Sequence, residues 1–234
     1  MPDGTRFFAL IPAAGQGARF GASGPKQYLP LAGRPLIYHP ISVLHAHRLI
    51  ERVVVVLAAD DVEWDNYAWD EFAPKLQILR CGGETRAQSV LNALDALQRE
   101  LAAGDWMLVH DAARPCLDAR DLDTMITTLT TDSVGGILAV PLADTLKRDD
   151  GGGRVEATLP RANLWRAQTP QMFRYGLLRD ALRAYIDELP TDEASVIERR
   201  GLCPRLVPGS ARNIKVTFAA DLAIAELFMR DRQT

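Results

Sequence analysis

Apolar residues arrive in short unbroken runs that alternate with longer mixed stretches. The runs fall at 6–12 (RFFALIP), 52–58 (RVVVVLA), 76–80 (LQILR), 106–110 (WMLVH) and 136–141 (GILAVP). Runs of this length without polar alternation read as strands covered on both faces, and such strands belong to parallel sheets. Between them, 85–104 (TRAQSVLNALDALQRELAAG) sets Val90, Leu91, Leu94, Leu97 and Leu101 on one helical face, with Gly104 as its stop. Strand alternating with helix predicts a wound, mostly parallel α/β sheet with helices on both faces.

That order breaks at 142–162 (LADTLKRDDGGGRVEATLPRA), where two alternating stretches flank an Asp-Asp-Gly-Gly-Gly tip and predict a long β-hairpin that projects as an arm. Beyond it, 175–189 (YGLLRDALRAYIDEL) is an amphipathic helix, and 191–201 (TDEASVIERRG) opens another with Thr191 or Asp192 as N-cap and Gly201 as stop. The segment 213–230 (NIKVTFAADLAIAELFMR) reads as strand, cap and helix. At 60–72 (DDVEWDNYAWDEF) six acidic residues mix with four aromatics, which predicts a solvated, partly packed helix. His45 and His47 sit two apart, on different faces of a helix, and so belong on the surface rather than on a metal.

Composition narrows the class. With 234 residues, 47% hydrophobic and 24% charged, the chain can bury its core as one domain over 1–234, carrying the arm at about 142–162. A net charge of -3 and a pI near 5.8 supply no positive field for long nucleic acid, although clustered Arg and Lys suit small phosphates. Cys81, Cys116 and Cys203 are odd in number and lack zinc-site spacing, as in a reducing cytoplasm. No basic stretch precedes a long apolar run at the N-terminus, and no run approaches the roughly 18–20 residues of a membrane span. The expectation is an unprocessed cytoplasmic chain with no membrane partner.

In wound sheets ligands gather beyond the carboxyl ends of the strands, and three polar loops begin there: after Pro12, after Arg80 and after His110. In the first, Gly15, Gly17 and Gly21 read G-x-G-x-x-x-G, one residue too long for a dinucleotide fingerprint. Lys26, between Pro25 and Gln27, does not fit a P-loop. Backbone amides with Arg19 and Lys26 would hold a polyphosphate; the plainer reading is a flexible turn with two surface bases. In VHDAARP, Asp111 is a candidate Mg²⁺ ligand, one carboxylate sufficing when phosphate and water supply the remainder; alternatively it caps the next helix or pairs with Arg114. His110 has no evident catalytic partner and reads as packed. In CGGETRAQSV, Gly82 and Gly83 precede a helix whose first turn carries Arg86 and Ser89. Its amides and hydroxyl would read a nucleotide, unless this is a plain helix entry.

With these loops in order, the sequence resembles the 2-C-methyl-D-erythritol 4-phosphate cytidylyltransferases of the non-mevalonate isoprenoid pathway over nearly its whole length. AAGQGARFG, PKQY, GGETRAQSV, VHDAARP, DTLK, LPRANLWRAQTPQ, TDEAS and NIKVT follow in the family's order. The resemblance implies a Rossmann-like, nucleotidyltransferase-type fold. It also implies a reaction in which methylerythritol phosphate attacks the α-phosphate of CTP and releases pyrophosphate, with Mg²⁺ or another divalent cation. By the family pattern Arg19 and Lys26 stabilise the transition state and leaving group, and Lys215 meets the α-phosphate from the far side. Ala13, Ala14, Gly15, Gly17, Gly83, Ser89, Asp111 and Ala112 would line the nucleotide site. Arg161, Thr191, Thr145, Thr169 and Arg114 would hold the acceptor, with Arg161 and Thr145 serving the neighbour's site in a homodimer joined by the arm. The sequence departs from the commonest pattern at Phe20, Glu84 and Thr85.

Three rivals stand beside this reading. A cytidylyltransferase for another polyol phosphate, such as ribitol 5-phosphate, shares most nucleotide motifs; Arg161 and TDEAS lean towards methylerythritol phosphate. An NAD-dependent dehydrogenase needs an acidic residue about 20 positions past the glycines, where this chain reads YHPISVLHAH. A nucleotide sensor without chemistry would have no use for Arg19, Lys26, Asp111 and Lys215 together.

Overall fold

Every apolar run becomes a strand of one sheet in the computed structural model, which describes residues 4–15 and 24–231. In chain order the elements are β1 (Phe7–Pro12), the short ribbon β2 (Pro30–Leu31) and β3 (Arg34–Pro35), α1 (Tyr38–Ala46), β4 (Ile50–Val56), β5 (Leu76–Leu79), α2 (Arg86–Ala96), β6 (Trp106–Val109), α3 (Ala119–Leu129) and β7 (Gly135–Pro141). There follow β8 (Leu146–Asp149), β9 (Val155–Leu159), β10 (Trp165–Arg174), α4 (Tyr175–Tyr185), α5 (Glu193–Arg199), β11 (Arg205–Pro208) and α6 (Ala219–Asp231).

The sheet runs β11-β7-β10-β6-β1-β4-β5, and its pairings are parallel except at β10, which is antiparallel to both β6 and β7. The chain leaves β1 towards β4 and β5, then returns through α2 to place β6 on the other side of β1. Loops after β1 and β6 therefore diverge, and this switch point opens a crevice. Alternation along β1 fills both faces: Phe7, Ala9 and Ile11 join α1 and α3 side chains such as Ile41 and Met125, whereas Phe8 and Leu10 join Val90, Leu94, Leu178 and Val196 from α2, α4 and α5. The hairpin β8–β9 pairs only with itself, and its residues are mostly exposed, as an arm requires.

Several expectations change. The run around AQTPQMF, not singled out as a strand, forms the ten-residue β10, whose register shifts between Ala167 and Gln171. NIKVT is irregular rather than a strand: its amides bond outside the sheet, Ile214 to the Arg212 carbonyl, Val216 to the Ala113 carbonyl after β6 and Thr217 to Asp221. Helix α2 ends at Ala96 instead of running to Gly104; the chain continues in turns that still bury Leu97 and Leu101. The 60–72 segment forms two short 3-10 turns, Trp64–Asn66 and Asp70–Phe72, rather than one helix. Trp64 stacks on Trp69 with centroids 4.1 Å apart, and both Trp64 and Phe72 join the core. His47 is buried, not superficial, with Nε2 3.0 Å from Asp123 Oδ1. No helix among the described residues is long and apolar enough to cross a membrane.

Candidate active site

The crevice holds a cavity of about 620 Å³ lined by Ala13, Ala14 and Gly15 from the β1 loop, Lys26, Gly83 to Arg86, Ser89, Asp111, Ala112 and Lys215. A smaller cavity of about 190 Å³ adjoins it, lined by Arg114, Gln168, Thr169, Gln171, Thr191 and Asp192. Arg86, Asp111 and Lys215 line both, so these three side chains form the wall between them. The nucleotide candidates fall on the larger cavity, and Arg114, Thr169 and Thr191 fall on the smaller. Arg161 and Thr145, exposed on the arm, line neither, and the Arg161 guanidinium donates to the Ala143 carbonyl. Arg19 and Gly17 lie outside the described residues.

Local chemistry explains each placement. Gln27 Nε2 donates to the Ala13 carbonyl at 2.7 Å and the Ile37 amide donates to the Gln27 carbonyl at 2.9 Å, fixing the 3-10 turn Lys26–Tyr28 beneath the β1 loop. The Tyr28 hydroxyl donates to Asp61 at 2.7 Å, and its ring stacks on Tyr67; the aromatic segment thus supports the turn that carries Lys26. Lys26 Nζ donates to the Val216 carbonyl at 3.2 Å and so reaches the segment bearing Lys215. Gly82 packs so closely on the β1 loop that a Cβ there would sit 2.2 Å from Ala14 Cβ. Ser89 Oγ accepts from the Gly83 amide at 3.0 Å and donates to the Thr85 carbonyl at 2.9 Å. The same hydroxyl therefore shapes the loop, and Ser89 also lines the larger cavity.

At the end of β6, His110, Asp111 and Thr169 are linked by hydrogen bonds. The Arg114 carbonyl can only accept, so His110 Nε2, 3.1 Å away, carries the proton; Nδ1 then accepts from the Thr169 hydroxyl at 3.1 Å, and Thr169 Oγ1 accepts from the Asp111 amide at 3.0 Å. Burial holds His110 down at about 4, so it is a neutral packing residue, as expected. Asp111 meets Arg86 Nε and Lys215 Nζ, each at 2.8 Å, and Arg114 Nε at 3.7 Å. Burial opposes its ionisation, but these cations outweigh burial and hold the carboxyl well below the usual carboxylate range. Asp111 faces the larger cavity as an ionised carboxylate whose two oxygens already meet Arg86 and Lys215. No cluster of three or more potential metal ligands occurs among the described residues.

Arg86, in this wall, and Glu193, behind it, carry no site signal in the sequence. The sequence marks Arg86 only as part of a helix start, yet its NH1 and NH2 donate to Glu193 Oε1 and Oε2 at 2.6 and 3.0 Å while Nε donates to Asp111. Glu193, within TDEAS, is 1% exposed. Burial pushes its carboxyl up although Arg86 opposes the shift; Asp111 moves the other way because it has three cations and Glu193 has one. An acid next to an N-cap normally faces water, so nothing in the pattern marked Glu193 as buried.

A wound α/β sheet whose switch-point crevice gathers backbone amides, small side chains and converging cations around two joined cavities defines a nucleotidyltransferase-type protein. The chain belongs to the IspD family, 2-C-methyl-D-erythritol 4-phosphate cytidylyltransferase, whose sequence profile matches residues 7–231. A protein of that name from Dechloromonas aromatica is 58% identical over 228 residues, covering 97% of this chain and 99% of its own. The crystal structure of a 4-diphosphocytidyl-2C-methyl-D-erythritol synthase superposes with a TM-score of 0.85 at 38% identity, covering 96% of this chain and 99% of its own. The cytidylyltransferase from Francisella tularensis superposes at 0.82 and 34% identity, covering 96% and 100%.

Proposed function

We infer that this chain joins CTP to 2-C-methyl-D-erythritol 4-phosphate, giving 4-diphosphocytidyl-2-C-methyl-D-erythritol and pyrophosphate in the non-mevalonate isoprenoid pathway. The observation that carries this reading is the wall of Arg86, Asp111 and Lys215 shared by a nucleotide-sized cavity and a smaller one. A phosphate oxygen of the acceptor, held in the smaller cavity, forms a bond to the α-phosphorus. The bond from that phosphorus to the β-phosphate bridging oxygen breaks, and its electron pair leaves with pyrophosphate. Negative charge spreads over the α-phosphate oxygens as this happens, so cations fixed beforehand lower the barrier without reorganising.

Lys215 is assigned to the α-phosphate, Lys26 to the β- and γ-phosphates that leave, and Arg19, by family resemblance, to the same leaving group. Ala13, Ala14, Gly15 and Ala112 leave room for sugar and base, backbone groups near Gly83 read the cytosine edge, and Ser89 lines the site while holding that loop. Arg114, Thr169 and Thr191 line the acceptor's cavity. Mg²⁺, held by Asp111, would neutralise triphosphate charge and orient the phosphates. The exposed arm, with Val155, Leu164 and Trp165 uncovered, supports a homodimer in which Arg161 and Thr145 reach the neighbour's acceptor. The acidic charge balance and unpaired cysteine pattern support a cytoplasmic protein.

The test is direct. Purified protein with Mg²⁺, CTP and methylerythritol phosphate should release pyrophosphate, and EDTA should stop it. Release with ribitol 5-phosphate but not with methylerythritol phosphate would assign a different acceptor.

A further inference from the structure

Glu193 occupies a costly position. A carboxylate almost wholly removed from water needs a partner, and an ion pair so buried contributes little net stability compared with apolar side chains of the same size. It is also held rigidly from behind. Asp192 Oδ1 accepts from the Ser195 amide at 3.0 Å, Gln171 Nε2 donates to Asp192 Oδ2 at 2.9 Å, and Gln171 Oε1 accepts from the Ala194 amide at 2.9 Å. Helix α5 is thereby pinned to β10, and Glu193 with it. In front, both its oxygens take the terminal nitrogens of Arg86 in a fork geometry that fixes the guanidinium plane, leaving Nε aimed at Asp111.

We propose that Glu193 is a positioning residue for phosphoryl transfer: it clamps Arg86 into the wall between the two cavities, so that a fixed positive charge stands where acceptor phosphate and α-phosphate meet. The proposal rests on the cytidylyltransferase reading of the site and deepens it. Without the clamp, Arg86 is free to turn both terminal nitrogens onto Asp111, which then competes less well for Lys215, 2.8 Å away on its other oxygen. One displaced arginine would disturb the charges on both sides of the reacting phosphorus. Because the wall supplies only three of the residues lining each cavity, ground-state binding of either substrate retains most of its contacts, and the loss falls on the transition state.

Glu193→Gln keeps the shape and removes the charge. Steady-state kinetics should show kcat reduced at least tenfold, with the KM values for CTP and for methylerythritol phosphate each within about threefold of wild type. A defect confined to folding would instead lower the active fraction without depending on Arg86, and a double-mutant cycle separates the two. In an Arg86→Ala background the Glu193→Gln change should cost less than twofold more. Arg86→Lys, which cannot span both carboxylates, should lose kcat to a similar extent and keeps the test open if Glu193→Gln does not fold. Unchanged kcat in Glu193→Gln or Arg86→Lys, or multiplicative losses in the double variant, would overturn the proposal. Wild-type protein assayed in parallel distinguishes the failures: no product from it defeats the cytidylyltransferase reading as well, whereas active wild type with an equally active variant defeats the clamp alone.

Discussion

Lys215 Nζ stands 2.8 Å from Asp111 Oδ2, a contact between an irregular segment before α6 and the loop after β6. The ammonium is thus oriented before any phosphate arrives, and Asp111 keeps it pointed at the crevice. Lys215→Ala should lower kcat/KM by about 10²–10³-fold, the range for losing one preorganised charge-stabilising donor. Thermal unfolding should change little, since this side chain is 40% exposed. Pyrophosphate release beside a melting curve checks both halves.

Lys26 depends on the aromatic segment as well as on its own turn. Lys26→Ala should remove much of the rate while the protein stays folded. Tyr28→Phe deletes the hydroxyl that reaches Asp61 and should cost about 1 kcal/mol of stability, with a smaller rate loss than Lys26→Ala. Denaturant titration and initial rates on the two variants read this directly, and equal rate losses would contradict it.

The arm makes a claim about two chains. If Arg161 serves the partner's acceptor site and Lys215 its own, then Arg161→Ala and Lys215→Ala proteins, each inactive, should regain activity when unfolded together and refolded. Random pairing puts one intact site in half of the dimers, so recovery should approach about a quarter of wild type. No recovery, with mixed dimers demonstrated by a tag, would return Arg161 to its own chain.

His110 gives the fold a pH dependence with a definite sign. Its pKa falls from 6.5 to about 4 on folding through burial, so between those values the unfolded chain binds more protons and stability drops as pH is lowered. The full contribution, on the order of 3 kcal/mol, is present above 6.5 and is lost by about 4. Glu193, raised from its ordinary 4.5, works the other way just above that value, and Asp111 matters only at lower pH. Replacing His110 by Gln should flatten the stability profile between pH 6.5 and 4, measured by urea denaturation.

Much of this was legible along the chain. Unbroken apolar runs such as VVVVL could only be covered strands, and the small residues and cations beyond them marked the crevice. What escaped has a common physical cause. In β10, Arg166, Gln168 and Gln171 interrupt the apolar run and Pro170 removes a ladder donor, so a strand made by its neighbours carries little signal of its own. NIKVT shows the converse: β propensity gives no strand where the amides are taken by the loop after β6 and by Asp221. The acidic-aromatic segment looked solvated because its charges outnumber its rings, although the stacked Trp64 and Trp69 decide where it lies. Sequence motifs named the residues around Asp111, but the burial of Glu193 behind Arg86 depends on α5 docking against β10, a tertiary event with no local trace.

A partition made of three charged side chains also binds its two chambers into one thermodynamic system. Whatever factor a bound nucleotide applies to acceptor affinity, a bound acceptor must apply to nucleotide affinity, because the two binding steps close one thermodynamic cycle. A fragment that fills one chamber and repels Lys215 from Asp111 would therefore weaken the other substrate without touching it. Inhibition of that kind would be visible as a change in the second ligand's dissociation constant.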